Sequence, residues 1–243
     1  MGRLYVIVVP RYLAWGMVIL ACCLVVLAIY GSFPLAVYTI ALLPEDVIYD
    51  VMLDAGHGGI DPGAIGNSDV YEKHFTLDIV LEMGRILTEH GLKVGLTRDT
   101  DRDVSHLVEN GTRHRRDLLG RFKMMNQARV GMSVHANSTK NPSTSGAIVF
   151  YLHDSYIDKL FAQIVFDELE RVQVMNHNYV VPRSTLLLLK AKVPVLLVEV
   201  GFMSNPQDLA KLADRDFRVH VAQALSTGIL KFLAAQNLEQ SEP

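Results

Sequence analysis

Three polar residues in this sequence each close an apolar run. Val51-Met52-Leu53 leads into Asp54-Ala55-Gly56-His57-Gly58-Gly59, Met132-Ser133-Val134 into His135-Ala136-Asn137, and Val195-Leu196-Leu197-Val198 into Glu199. Apolar runs of that length read as buried strands, and ligands gather outside the carboxyl ends of strands in open α/β sheets. Two histidines and a carboxylate delivered to one sheet edge are compatible with a catalytic zinc site, which takes three ligands of the His/Glu type and keeps one position open for water. The chemistry would be metal-assisted hydrolysis. Spacing alone does not identify a second carboxylate.

Each residue also has a plainer reading. His57 lies among Gly56, Gly58 and Gly59, which force a tight turn. It is therefore a ligand or simply a turn residue, and the same loop could cradle a phosphate at the next helix N-terminus. A carboxylate after the run Val195 to Val198 is costly unless paired or metal-bound, so Glu199 is either catalytic or half of a buried salt bridge. Glu72, at the entrance to the first expected helix, reads on its own as a first-turn acid favoured by the helix dipole. His74, His90, His106, His114, His153, His177 and His220 fall on expected helices, loops or polar stretches and read as solvated.

From Val47 onward, short apolar strands alternate with amphipathic helices, which predicts an α/β domain with a largely parallel sheet. Strands are expected at Val47 to Leu53, Lys93 to Thr97, Val130 to Val134, Gly146 to Leu152, Leu186 to Leu189 and Val193 to Val198. Helices are expected from about Lys73 to His90, stopped by Gly91, then at Leu118 to Ala128, Tyr156 to Val172 and Asp216 to Ala235. Asn205-Pro206 marks a further helix start, with Asn as cap and Pro at the first helical position. The charged stretch Arg98 to Asp117 reads as the longest loop, and Asn178 to Arg183 matches no clear pattern. The expected architecture is a single three-layer domain over residues 47–236, its mostly parallel central sheet flanked by helices, with a polar tail at 237–243.

Ahead of that domain, no charged residue occurs between Arg11 and Glu45, and Tyr12 to Tyr30 is nearly continuous apolar sequence. Such a stretch matches the ~20 residues that span a bilayer as a helix. A transmembrane anchor is therefore expected over 12–31, after a short cytoplasmic segment at 1–11 and before a stalk at 32–46. Arg3 and Arg11 precede the span and acidic residues follow it, which places the domain on the extracytoplasmic side of the cell membrane as a single-pass protein. A cleaved signal peptide is the competing reading, but the apolar stretch is long for one and no A-x-A pattern follows it. Cys22 and Cys23, the two cysteines, both lie in the span, so neither a disulfide nor a thiolate ligand serves the domain. All 26 acidic residues follow the span while two of the 23 basic ones precede it. The net acidic remainder argues against nucleic acid as a partner.

The stretch from Val51 to Gly66, VMLDAGHGGIDPGAIG, resembles the opening motif of the zinc-dependent N-acetylmuramoyl-L-alanine amidases. Tyr71-Glu72-Lys73 with Leu77, Leu96-Thr97-Arg98-Asp99, Ser133 to Asn137, and Pro194 through Glu199 to Pro206 resemble that family's later motifs in the same order. The resemblance covers nearly everything after the anchor. It implies a zinc ion held by His57, Glu72 and His135, with Glu199 as the catalytic carboxylate. The activity implied is cleavage of peptidoglycan at the amide between the lactyl group of N-acetylmuramic acid and L-alanine. An anchor followed by the catalytic domain is similar to the germination-specific amidases of spore formers, which prepare cortex glycan for conversion to muramic-δ-lactam. Thr76 departs from the family, which commonly has Asn there. The nearest alternatives are a zinc carboxypeptidase-type peptidase and a catalytically inactive wall-binding module, and an activating protein partner has no signature in the sequence.

Overall fold

The apolar runs that end in His57, His135 and Glu199 become neighbouring strands. In the computed structural model, which describes residues 47–66 and 70–241, they are β1 (Tyr49–Ala55), β3 (Ala128–Asn137) and β6 (Val195–Phe202). With β2 (Val94–Leu96), β4 (Ile148–Leu152) and β5 (Val181–Arg183) they form a six-stranded sheet in the order β2-β1-β3-β6-β4-β5. β2, β1, β3 and β6 are parallel, whereas β4 runs antiparallel to β6 and carries β5 parallel to itself. The sheet is thus mostly parallel, as expected.

Successive strand residues face opposite sides, which divides the core in two. Val51 and Leu53 of β1, Met132 and Val134 of β3, and Leu196 and Val198 of β6 pack in one core with α1 (Glu72–Glu89), α3 (Tyr156–Leu169) and α5 (Arg215–Ser241). Met52, Val195 and Leu197 point the other way, against Met125 of α2 (Arg113–Met125) and the buried leucines of a 3-10 turn at Leu188–Lys190. Helices therefore cover both faces of a single α/β domain. α4 (Pro206–Ala213) starts as expected, with the Asn205 side chain accepting from the amides of Gln207 and Asp208 and Pro206 in the first turn.

Register then fixes the site. Asp54 stands opposite Ser133, and His135 opposite Glu199. All four lie on the face that Leu197 shares, one residue pair above the next.

Some expectations need correction. Leu186 to Leu189 is no strand; its apolar run enters the 3-10 turn, and a run of four cannot be told from a buried helical turn by periodicity. β5 comes from the stretch without a pattern, and its Pro182 is tolerated because β5 is an edge strand. The charged segment from Arg98 is only partly loop. It contains a 3-10 turn at Ser105–Leu107, and α2 begins at Arg113 behind Thr112, whose hydroxyl accepts from the Arg115 amide. The expected segments 1–11, 12–31 and 32–46 and the end of the tail lie outside the described residues. Among the described residues no helix is long and apolar enough to cross a membrane.

A buried ion pair fastens the carboxyl end of β1. Asp54 lies 2.6 Å from Arg121 of α2, with side chains 1% and 4% exposed. Asp54 also accepts from the hydroxyls of Thr97 and Ser133, each at 2.6 Å. Burial opposes its charge, yet Arg121 and the two hydroxyls hold Asp54 down at about 2. Removing one member of such a pair strands the other charge in a low dielectric. Asp54→Asn is expected to lower the unfolding free energy by roughly 3–5 kcal/mol in urea denaturation. The carboxylate's contribution is complete above the ordinary aspartate value of ~3.9 and is lost as pH falls toward its depressed folded value. The gap between wild type and variant should therefore narrow in acid, and a gap that widens would contradict the assignment.

Candidate metal centre

The loop after β1 is shaped by what surrounds it. A Cβ at Gly56 would overlap the His135 ring, and one at Gly63 would overlap both the His57 ring and Glu72 Oε2. Only glycine leaves those spaces clear. His57 itself adopts a left-handed backbone, with φ of 61°, which turns its side chain back over the sheet edge.

Glu72, the first residue of α1, sits between the two histidines. Its Oε1 lies 2.9 Å from His135 Nδ1 and accepts from the Ala136 amide at 2.9 Å. Its Oε2 lies 3.2 Å from His57 Nε2 and accepts from the Ala64 amide at 2.8 Å. The imidazoles meet edge to face, ring centres 4.9 Å apart. One donor atom from each of His57, Glu72 and His135 falls within 4.8 Å of the others, a group that could hold a metal ion. The alternatives of a mere turn residue for His57 and a mere helix-dipole acid for Glu72 do not describe this convergence.

Glu199 is beside this group by register, opposite His135. It is not half of a salt bridge among the described residues, and its Oε2 is buried without a hydrogen-bond partner. Burial pushes Glu199 up to about 7; His135 pulls it down and Glu72 pushes it further up. For Glu72 burial works in the same direction, but hydrogen bonds with His135 and His57 win and hold it well below the usual carboxylate range. Burial disfavours charge on His57, yet Glu72 and then Asp61 raise it to about 9. His135 is raised as well, against burial, by Glu72 and Glu199.

The two aspartates nearest the histidine loop, Asp54 and Asp61, separate in role. Asp61 Oδ2 lies 3.0 Å from His57 Nδ1, within ion-pair distance of the ring. Asp54 touches neither ring. Asn137 is a turn former, its side chain accepting from the Ser138 amide. Thr76 donates to the Gly56 carbonyl at 2.9 Å, tying α1 to the histidine loop.

Two arginines behind the site were not singled out from the sequence. Arg121 donates to the carbonyls of Ala55 and His57, and Arg98 to those of Ala55 and Gly56. Three consecutive carbonyls of the loop are thereby aimed at buried guanidinium groups. The i, i+4 spacing of Asp117 and Arg121 on α2 was the available signal; the pair closes at 2.8 Å.

The donor set suits a metal: two histidines and a carboxylate match zinc and its neighbours, and Glu199 Oε2 beside them is a buried polar atom without a partner. A family model for N-acetylmuramoyl-L-alanine amidase matches residues 51–231. The chain belongs to that family. Among relatives of this amidase, the germination-specific N-acetylmuramoyl-L-alanine amidase of Bacillus subtilis is 33% identical over 188 residues, covering 75% of this chain and 78% of the relative. The amidase AmiA of Salmonella typhimurium is 30% identical, covering 75% of each chain. In solved structures, the CwlD amidase of Clostridioides difficile, in complex with the GerS lipoprotein, superposes with a TM-score of 0.70 at 33% identity, over 76% of this chain and 98% of that one. The single α/β domain of this amidase is therefore the family's fold.

Charge at the site would govern the uptake of a metal by these three groups. With His57 raised to about 9, a proton must leave the imidazole before it can ligate near neutral pH. Loading with a divalent metal is expected to release protons, and affinity to strengthen as pH rises toward 9. Calorimetric titration in buffers of different ionisation enthalpy measures both, and proton-independent binding from about pH 6 to pH 9 would contradict the charge state of His57.

Proposed function

We propose that this amidase hydrolyses the amide between the lactyl group of N-acetylmuramic acid and L-alanine in peptidoglycan, with zinc held by His57, Glu72 and His135 and with Glu199 as general base. The observation that carries this reading is the convergence of the three donor groups within 4.8 Å, with Glu199 directly opposite His135 and its buried Oε2 unpartnered. Bound zinc would act as a Lewis acid, lowering the pKa of a water to ~7 and polarising the lactyl carbonyl. Glu199, poised near 7 by burial, is matched to take a proton from the attacking water. The same carboxyl group can then return the proton to the leaving alanine nitrogen. His57, Glu72 and His135 stay fixed meanwhile, since Glu72 is bound by two backbone amides as well as facing both rings.

His57→Ala and His135→Ala should each lose zinc, whereas Glu199→Gln should keep it and lose turnover by about 10²–10⁴-fold. Normal zinc content in both histidine variants would overturn the ligand set. Mass spectrometry of digested peptidoglycan should show new N-terminal L-alanine; free D-alanine instead would point to a carboxypeptidase. Zinc retention without any cleavage, with or without a lipoprotein partner of the kind seen with CwlD, would point to a binding module.

The reading extends to location. Arg3 and Arg11 before the uncharged stretch, and Glu45, Asp46 and Asp50 after it, support a single-pass anchor over 12–31 with the catalytic domain outside the cytoplasmic membrane. Protease added to intact protoplasts should remove the domain and spare the N-terminus, and full protection would refute this topology. Likeness to the germination-specific amidase at 33% identity supports spore cortex as the setting.

A further inference from the structure

We propose that Arg98 is a positioning residue for the metal centre, locking the backbone of the His57 loop to the first turn of the helix that carries Glu72. The inference rests on the ligand set proposed above.

Arg98 is fully buried, and a buried cation is costly unless its charge is answered. Among the described residues its hydrogen bonds go to carbonyls and one hydroxyl, with no carboxylate partner. Nε donates to Ala55 O at 2.9 Å, and Nη2 to Gly56 O at 2.9 Å. Nη2 also donates to Lys73 O at 2.7 Å and reaches Thr76 Oγ1 at 3.2 Å, while Nη1 donates to Thr100 O at 3.2 Å. Ala55 and Gly56 immediately precede His57, and Lys73 immediately follows Glu72. One rigid plane thus binds the backbone beside two of the three ligands.

Stability alone gives no reason for this choice. Burial and the neighbouring Arg121 press Arg98 down to about 10, so its environment disfavours the charge it holds. Apolar side chains of similar volume generally stabilise a core as well as or better than a buried charge. What the guanidinium adds is geometry: donors at fixed angles that reach two segments at once, which a lysine ammonium at the end of a flexible stem cannot reproduce. Metal ligands need such preorganisation, held within ~0.5 Å by surrounding hydrogen bonds. His57 has particular need of it, because its left-handed backbone is uncommon for a residue with a side chain. Thr76 completes the link by donating to Gly56 O.

The test compares full-length wild type, Arg98→Lys and Thr76→Val, purified in detergent, by zinc affinity in chelator competition and by thermal unfolding of the metal-free forms. Arg98→Lys is expected to raise the zinc Kd about 10–100-fold, the range seen for groups that orient ligands, at a temperature where the variant is fully folded. Excess zinc should restore its kcat toward wild type. A variant with a lowered Tm but wild-type zinc affinity would make Arg98 a structural residue only and overturn the proposal. Should Arg98→Lys fail to fold, Thr76→Val decides: a weaker zinc affinity supports the link and an unchanged one overturns it. A wild-type chain that binds no zinc would instead overturn the ligand set, and this proposal with it.

Discussion

The ion pair of Asp54 and Arg121 is the contact on which the site's architecture depends. Asp54 is the penultimate residue of β1, and its two oxygens gather Thr97 after β2, Ser133 of β3 and Arg121 of α2. Arg121 then spreads from Asp117 on its own helix to the carbonyls of Ala55 and His57. Four segments distant in sequence meet at one carboxylate. Two charges removed from water start with a desolvation penalty, and their attraction offsets it only where the remaining donors and acceptors are satisfied. That condition is met here, and the depressed pKa of Asp54 is its signature. Ser133 stands two residues before His135 on the same face, so the pair also reaches the second histidine's strand.

The central strands were legible because β1, β3 and β6 are buried on both faces and therefore run apolar without interruption. The polar residue that ends each run announces itself for the same reason. Glu72 was not legible in that way. An acid at the start of a helix is an ordinary helix feature, and only tertiary contacts show that both its oxygens face imidazoles; resemblance to a family supplied it. Arg98 and Arg121 were hidden more deeply, since a charged stretch reads as solvated unless the partners that justify burial are known. Leu188 and Leu189 show the converse limit, apolar residues whose burial was expected but whose backbone state was not.

Glu72 and Glu199 illustrate how one sheet edge gives identical functional groups different charge states. Both are removed from water, which alone would neutralise both. Glu72 is answered by two imidazoles and two backbone amides and stays ionised far below neutrality. Glu199 has weaker compensation, feels Glu72 as a like charge, and is raised to about 7. Such a division suits the roles proposed above, one group holding a cation and the other exchanging protons near neutrality. The register of β3 against β6 brings His135 opposite Glu199, while the entry of α1 delivers Glu72 from another direction. A one-residue slip between β3 and β6 would turn Glu199 to the opposite face of the sheet, into the apolar core that Val198 and Val200 fill, and turn those valines out of it. The apolar pattern that specifies that register therefore specifies the chemistry too.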